Sequence, residues 1–196
     1  MKIALITDTH FGVRSDNPLF LEYFDKFLDG VFFPELKRRG IKHIVHLGDL
    51  FDRRKYVNFN TLTWSRSFMD RTKDYSIDLI IGNHDTYYKS TNDVNSPSLL
   101  LNDYKNVKIY TEATEVDIPG SNNAILYIPW ITPENEERTL DLIKKTSAKV
   151  VMGHLAVTGH LMHKGTVCQD GINPSIFVDF NSVYTGHFHT KNSIAN

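Results

Sequence analysis

The stretch LIIGNHDTYY, residues 79–88, changes character half-way along. Its branched apolar beginning predicts a buried strand, and Gly82, Asn83, His84 and Asp85 then follow without another apolar residue. Three consecutive polar side chains after a buried strand are typical either of a polar turn or of the rim of an active site. Which of these applies depends on whether other strands of the chain end in the same way.

The first 85 residues alternate between predicted strands and predicted helices. Asn17 and Pro18 suit the first positions of a helix that Gly40 would end. Apolar, β-rich runs predict strands at residues 3–7, 43–47 and 77–81, and a second helix is predicted at residues 60–72. Strands separated by helices predict parallel pairing within an α/β fold.

The second half of the chain predicts shorter strands, with a helix between them. The strands are expected at residues 107–110, 115–118, 125–128, 149–152 and 182–185, and the helix at residues 133–146. The polar, strand-free segment 89–98 predicts a mobile loop beside the opening motif. The whole pattern predicts one mixed α/β domain, and two sheets would accommodate it.

The charge, the cysteine count and the lengths of the apolar runs exclude several classes of protein. The chain has 196 residues, a formal net charge of -1 and a single cysteine, Cys168. Intramolecular disulfides are therefore excluded, and no global positive charge attracts nucleic acid. The apolar start of the chain is too short for a secretory leader, and no apolar run is long enough to cross a membrane. We therefore expect a cytoplasmic protein without a membrane partner.

Polar clusters follow five of the predicted strands. They are Asp8 with His10, Gly48 with Asp49, Asn83 with His84 and Asp85, Gly153 with His154, and His187 with His189. In an α/β sheet the carboxyl ends of parallel strands meet at one edge, where ligands bind. Each cluster alone is also typical of a surface turn or of a core histidine. The recurrence after five strands favours one shared site.

The residue types of these clusters indicate a metal site. Carboxylates, imidazoles and one amide, without a thiolate, suit Mn²⁺, Fe²⁺ or Zn²⁺. Seven ligands are too many for one tetrahedral ion but suit two ions that share a bridging carboxylate. Such an ion pair, about 3.5–4 Å apart, is a recurrent arrangement for phosphoryl chemistry.

These motifs together resemble the five motifs of the calcineurin-like metallophosphoesterases over nearly the whole chain. The resemblance implies a four-layer α/β sandwich, in which two mixed β-sheets are flanked by α-helices. It implies one ion held by Asp8, His10, Asp49 and His189, and a second held by Asp49, Asn83, His154 and His187. Mn²⁺ is the first choice of metal, with Fe²⁺, Zn²⁺ or Mg²⁺ as alternatives.

The resemblance also implies two catalytic residues that are not ligands. His84 would approach the scissile phosphate, and it would stabilise the phosphate's charge or protonate the leaving oxygen. Asp85 would orient His84 and keep it basic.

Within the family, the stretches around the motifs resemble the nuclease subunits of bacterial and tailed-phage recombination complexes. In that group the activity is Mn²⁺-dependent cleavage of DNA ends and hairpins, and the partner is an SbcC-like coiled-coil ATPase. Relatives also form homodimers through their first helices. Phe20, Phe24 and Phe27 could serve such an interface, but their helical spacing is explained equally well by core packing.

Three details of the motifs leave alternatives open. Asp52 stands where some relatives carry a histidine, so it either pairs with Arg53 to fix the loop or contacts substrate. Arg53 and Arg54 lie beside a metal motif and are candidates for phosphate contacts, with a solvated surface as the alternative. The sequence ends at Asn196, soon after His189, so we expect residues 1–196 to be a nuclease domain without the capping and ATPase-binding regions of its relatives.

Three other functions remain compatible with the sequence. The first is a phosphatase or phosphodiesterase of the same superfamily that acts on small phosphoesters. The second is a non-catalytic scaffold, which the complete set of ligand positions disfavours. The third is a DNA-binding module without catalysis, which the near-zero net charge disfavours.

Overall fold

Two stacked four-stranded sheets form the centre of the molecule. The computed structural model describes residues 2–120, 123–163 and 165–191. The strands are Ala4–Ile6 (β1), His43–His46 (β2), Ser76–Ile80 (β3), Val107–Tyr110 (β4), Thr114–Val116 (β5), Ile125–Ile128 (β6), Val150–His154 (β7), Leu161–His163 (β8), Thr166–Val167 (β9) and Ser182–Gly186 (β10). One sheet has the order β1-β2-β3-β4, the other has the order β10-β7-β6-β5, and β8 pairs with β9.

Helices cover the outer faces of the two sheets. They are Pro18–Phe27 (α1), Phe33–Arg39 (α2), Phe59–Arg71 (α3), Ser96–Leu100 (α4) and Glu136–Lys145 (α5), with a π-helical segment at Leu28–Phe32 and a 3₁₀ turn at Pro174–Phe177. No helix among the described residues is both long and apolar enough to span a membrane.

Alternating side chains of single strands build the apolar layers. In β6, Ile125 and Tyr127 lie in the cluster between the sheets, whereas Leu126 and Ile128 lie in the cluster that includes Ile143 of α5. This alternation follows from the two-residue period of a strand, and it requires strands that are apolar on both faces. The result is a helix–sheet–sheet–helix sandwich.

The predicted four-layer α/β sandwich is therefore confirmed, with one difference in pairing. Within the first sheet β1, β2, β3 and β4 all pair in parallel. In the second sheet β10, β7 and β6 are parallel, and β5 joins β6 in antiparallel fashion. Only the second sheet is mixed, because β5 and β6, which follow each other closely in sequence, pair in antiparallel fashion, whereas the first four strands are joined by longer crossovers.

The first helical region begins and ends where the sequence predicts. The Asn17 side chain accepts a hydrogen bond from the N–H of Leu19 at 3.0 Å, and Gly40 ends α2 with a φ of 64°. Phe24 packs against the core, but Phe20 and Phe27 are 37% and 45% exposed. Core packing therefore explains Phe24 but not Phe20 and Phe27, because a stripe of apolar residues on this helix also faces outward.

Segment 89–98 is anchored, which differs from the predicted mobile loop. Asn92 is buried, and its side-chain amide donates hydrogen bonds to the carbonyl oxygens of Thr111 and Trp130 at 3.1 and 2.8 Å. Asn95 is also buried and caps α4 by accepting from the N–H of Ser98. Side-chain amides thus anchor the segment, in addition to the backbone hydrogen bond from the Tyr87 N–H to the Val94 carbonyl.

Candidate metal centre

The carboxyl ends of five strands meet at one edge of the sandwich. After β1 and β2 the chain continues side by side, with the N–H of Asp8 donating to the Gly48 carbonyl and the N–H of His10 to the Asp49 carbonyl, both at 3.0 Å. The second sheet joins this edge where His154 Nδ1 lies 2.7 Å from the carbonyl oxygen of Leu47. The fold thus brings the strand ends together at one edge, as the sequence predicts.

Two glycines allow the backbones to approach this closely. A Cβ atom at Gly82 would collide with the carboxylate and the backbone nitrogen of Asp49. A Cβ atom at Gly186 would collide with the hydroxyl of Thr7 and the carbonyl oxygen of Leu47. These contacts explain physically why the polar clusters after β3 and β10 are preceded by glycine.

Four of the seven predicted ligands have left-handed backbone conformations. Asp8, His10, Asp49 and His187 have φ values of 50°, 43°, 54° and 80°. Residues other than glycine adopt such angles at an energetic cost, and they cluster where a site requires a particular side-chain direction. The sharp turns aim these side chains back over the strand ends.

Asp8, His10 and His189 form a first group of donors. His10 Nε2 lies 3.2 Å from His189 Nε2 and 3.8 Å from Asp8 Oδ1. His189 Nε2 lies 3.6 Å from the same Asp8 oxygen, and its side chain is 60% exposed. The group therefore opens toward solvent on the His189 side, and its spacing could hold a metal ion.

Asp49, His154 and His187 form a second group with the spacing of metal ligands, and Asn83 completes it. Asn83 Oδ1 lies 2.9 Å from His187 Nδ1 and 3.1 Å from His154 Nε2. Asp49 and His154 are almost completely buried. This group is therefore the enclosed half of the site.

Asp49 lies between the two groups. Its Oδ2 atom is 3.7 Å from His10 Nε2 and 3.3 Å from His154 Nε2. Its Oδ1 atom accepts a hydrogen bond from the backbone N–H of His84 at 2.7 Å. One carboxylate thus faces both clusters, which is the position required of a bridging ligand, and all seven predicted ligands meet at this edge.

The donor set fits divalent cations. His154 Nδ1 donates to a backbone carbonyl, and its Nε2 faces Asn83 Oδ1 and Asp49 Oδ2. Burial lowers the pKa of His154, but the contact with Asp49 outweighs it and raises that pKa, so a positive charge is favoured at this point. A divalent cation bound to the neutral ring supplies the same positive charge. Buried His10 Nδ1 has no hydrogen-bond partner among the described residues.

The shifts in pKa of Asp8, Asp49 and His187 give these residues the charge states that metal ligands need. Burial raises the pKa of Asp8, but hydrogen bonds from His10, Thr7 and the backbone of His187 outweigh it and lower that pKa. Burial likewise opposes ionisation of Asp49, and its contact with His154 lowers the pKa of Asp49 overall. Burial lowers the pKa of His187 to about 4. The carboxylates are therefore charged and His187 neutral at pH 7, as metal ligands must be.

The prediction that Asp85 orients His84 is wrong. The Asp85 side chain is fully buried, and its two oxygens accept hydrogen bonds from four backbone N–H groups. The donors are Gly82 and Asp49 on Oδ2, at 2.9 Å each, and Leu50 and Phe51 on Oδ1, at 3.0 and 3.2 Å. Asp85 therefore fixes the loops after β2 and β3, since a carboxylate with two oxygens can accept from several donors at once.

The residue that holds the ring of His84 is Asp52, through its main chain. His84 Nδ1 lies 2.6 Å from the Asp52 carbonyl oxygen, whereas the Asp52 carboxylate lies 3.5 Å from His10 Nδ1. His84, His10 and Asp49 also form a third group with the spacing of metal ligands. The carbonyl of Asp52 escaped the sequence analysis because any residue could supply it.

The two arginines differ in their surroundings. Arg53 forms an ion pair with Asp16 at 2.6 Å, so the expected pair between Asp52 and Arg53 is not what the structure shows. Arg54 Nη1 instead donates to two neutral oxygens, the Thr86 hydroxyl at 3.2 Å and the Tyr88 carbonyl at 3.4 Å. Of the two candidates for a phosphate contact, Arg53 is already paired with a carboxylate, whereas the positive charge of Arg54 can still pair with a phosphate.

One aromatic residue, Trp130, lies beside the site. The half-buried ring of Trp130 lies 5.1 Å from that of His187 and 6.0 Å from that of His154. Its position after β6 places it at the same edge as the other five clusters.

A family model described as calcineurin-like phosphoesterase matches residues 1–191. The chain belongs to this family. It is 34% identical over 205 residues to exonuclease subunit 1 of Enterobacteria phage T4, in a match that covers 100% of this chain and 57% of the phage protein. The chain thus spans little more than half the length of that relative. The solved structure of Pseudomonas putida nuclease MPE is similar at 19% identity and a TM-score of 0.47, over 81% of this chain and 64% of that one.

Because the Asp85 carboxylate accepts four backbone hydrogen bonds, we predict that its role is mainly structural. Replacing Asp85→Asn turns one acceptor oxygen into a donor that faces backbone N–H groups. We expect the free energy of unfolding to fall by about 1–3 kcal/mol in chemical denaturation. Asp74→Asn, at an exposed aspartate of the same chain, is the matched control and should unfold like the wild type. Unchanged stability of Asp85→Asn would contradict the structural role.

The donor geometry predicts stabilisation by divalent cations. Metal-free protein should gain thermal stability when Mn²⁺ is added, by about 2.7 kcal/mol at a hundredfold excess over the dissociation constant. Asp49→Ala removes the oxygen that faces both groups, so most of this gain should disappear. Asp103→Ala, which removes an exposed carboxylate paired with Arg66, should keep the full gain. An equal gain in all three proteins would mean that the ion binds elsewhere.

Proposed function

We propose that this protein is a metal-dependent DNA nuclease that hydrolyses phosphodiester bonds at a dinuclear centre. Asp8, His10, Asp49 and His189 hold one ion, and Asp49, Asn83, His154 and His187 hold the other. The observation that carries this proposal is the Asp49 carboxylate, which faces both donor groups from between them. Mn²⁺ is the proposed metal, with Fe²⁺, Zn²⁺ and Mg²⁺ as alternatives.

DNA as the substrate is supported by the relatives. Membership of the phosphoesterase family fixes the class of bond, and the phage relative is named an exonuclease subunit. Residues 1–196 are the proposed nuclease domain, and residues 1–191 of it match the family model. The charge of Arg54 beside the site suits a phosphate backbone better than a neutral ligand.

The bound ions would lower the pKa of a water molecule and neutralise phosphate charge. His84 is the proposed catalytic residue among the protein's own groups. Its Nδ1–H donates to the Asp52 carbonyl, so only the imidazolium form, protonated on both nitrogens, can give a proton to the leaving oxygen, and that proton comes from Nε2. As the phosphorus–oxygen bond to the 3′ or 5′ leaving oxygen breaks, the bond to the attacking water oxygen forms.

The role of His84 is tested by measuring metal binding and DNA cleavage separately in the variant His84→Ala. His84→Ala should still bind two ions per chain in calorimetry, because His84 is not among the seven proposed ligands. It should lose about 100-fold or more of its activity on end-labelled single-stranded and duplex DNA in the presence of Mn²⁺. Asp49→Ala is the comparison that loses both metal and activity. Near-normal turnover of His84→Ala would remove the residue from the mechanism, and activity confined to small phosphodiesters would contradict the DNA substrate.

We further propose that the outer face of α1 and of the π-helical segment after it is a homodimer interface. Leu19, Tyr23, Phe27 and Val31 are 58%, 65%, 45% and 51% exposed, and they form an apolar stripe that the protein's own core does not use. A second copy can cover such a stripe because two identical faces pair by a two-fold rotation. The word "subunit" in the phage relative's name supports an assembly.

Sedimentation measures this assembly. The wild type should sediment as a dimer, and Tyr23→Glu combined with Phe27→Glu should sediment as a monomer. Val178→Glu, at a residue that is 62% exposed elsewhere on the surface, is the matched control. A monomeric wild type would contradict the dimer. An SbcC-like coiled-coil ATPase is the other proposed partner, and it is proposed for the full-length protein, which would carry the ATPase-binding region.

A further inference from the structure

Two exposed tyrosines follow the candidate site directly along the chain. Tyr87 and Tyr88 are 43% and 50% exposed, and their rings make an edge-to-face pair with centroids 4.8 Å apart. They come three and four residues after His84. Neither the metal centre nor the core uses these rings, so their exposure at the rim of the site requires another explanation.

The backbone under the two rings is fixed. Thr86 pairs with Asn95 in antiparallel fashion, and the N–H of Tyr87 donates to the Val94 carbonyl at 2.8 Å. One residue earlier, the Asp85 carbonyl accepts the N–H of Ser96 at 2.9 Å. The rings are therefore presented on a held turn, which lowers the entropy lost when a ligand packs against them.

Arg54 connects this turn to the metal centre. Its guanidinium donates to the Thr86 hydroxyl, and that hydroxyl donates to the carbonyl of Asn83 at 3.3 Å. Among the described residues no carboxylate lies within ion-pair distance of Arg54, in contrast to Arg53, which Asp16 neutralises. Burial lowers the pKa of Arg54 while the charge of Asp49 raises it, which places the guanidinium within electrostatic reach of the centre. A fixed cation without a counterion attracts an anion.

We propose that Tyr87, Tyr88 and Arg54 form a holding site for an unpaired nucleotide of single-stranded DNA. The base stacks on the tyrosine pair, and the backbone phosphate binds the Arg54 guanidinium. Stacking on aromatic rings is tolerant of sequence, and a cation beside it follows the phosphates. Paired bases hide their faces inside the duplex, so the site selects single strands and frayed ends. This inference rests on the proposed nuclease function and names its substrate.

A protein partner is a weaker explanation for the same surface. The turn that carries the rings continues from the Asn83–His84 cluster, and the Thr86 hydroxyl on it donates to the Asn83 carbonyl at 3.3 Å. The guanidinium of Arg54, bonded to that same hydroxyl, matches the phosphates that a nuclease must bring to its metals. The arrangement fits the substrate itself.

The test compares two single-stranded substrates that have the same phosphates. One is a short oligothymidine, and the other is an oligonucleotide of equal length whose sugars carry no bases. Steady-state hydrolysis in Mn²⁺ should give the wild type a KM about tenfold lower for oligothymidine, since each stacked base contributes that much or more to binding. Tyr87→Ala with Tyr88→Ala should bring the two KM values together. Tyr87→Phe with Tyr88→Phe should keep them apart, because the ring faces remain.

Two further variants separate the roles within the site. Arg54→Ala should raise the KM for both substrates, because it removes a phosphate contact and not a stacking face. Tyr184→Ala, at a tyrosine that is 45% exposed on β10, should keep the wild-type ratio of KM values. Melting temperatures of all variants establish that they fold.

The outcomes distinguish this inference from the function on which it rests. If the wild type cleaves neither oligonucleotide, the nuclease proposal fails. If the wild type cleaves both but the double alanine variant keeps the wild-type KM ratio, the nuclease stands and the tyrosine site is overturned. Equal KM values for the two substrates in the wild type would overturn it as well, and so would a lower KM for duplex ends than for oligothymidine.

Discussion

The carboxylate of Asp85 fixes the geometry on which the candidate centre depends. Its two oxygens accept the N–H groups of Gly82, Asp49, Leu50 and Phe51, so one buried side chain ties the loop after β3 to the loop after β2. The backbone nitrogen of Asp49 is one of these donors, and the position of the proposed bridging carboxylate follows from it. Removing a single acceptor here would leave several buried donors unsatisfied, which makes the loops sensitive to this one residue.

This arrangement brings two buried carboxylates close together. Burial and the charge of Asp49 raise the pKa of Asp85 to about 7, although the backbone hydrogen bonds from Gly82 and Phe51 act in the opposite direction. Nearby cations favour the charged forms of both residues. The negative charge gathered around Asp49 therefore supplies part of the attraction for divalent ions, and metal binding and the stability of these loops should depend on each other.

Sequence reasoning identified the features that follow from local patterns. The strand ends, the cap at Asn17, the helix end at Gly40 and the convergence of seven polar residues could all be predicted, because each depends on periodicity or on parallel strands sharing an edge. The ion pair between Arg53 and Asp16 could not be predicted, since the two residues are 37 positions apart. It also depends on the positive φ angles of residues 14–16, which turn Asp16 toward Arg53. The outward direction of Phe20 and Phe27 also escaped prediction, because helical spacing marks an apolar stripe without stating which face meets the core.

The error about Asp85 shows a further limit of motif reasoning. A carboxylate next to a histidine in sequence suggests that it orients the ring, but residues adjacent after a strand point in different directions. In this fold Asp85 turns inward to the backbone, and His84 is held by the carbonyl of Asp52.

The carbonyl of residue 52 is part of the main chain and is kept when the side chain is exchanged, so the position of His84 is tolerant of the side chain at 52. That side chain is left free to act on His10, whose Nδ1 lies 3.5 Å from it and has no other polar partner among the described residues. The loop at 52–54 therefore serves three neighbours at once: its carbonyl holds His84, its carboxylate faces His10, and Arg54 bonds to Thr86, on the turn that carries the exposed tyrosines.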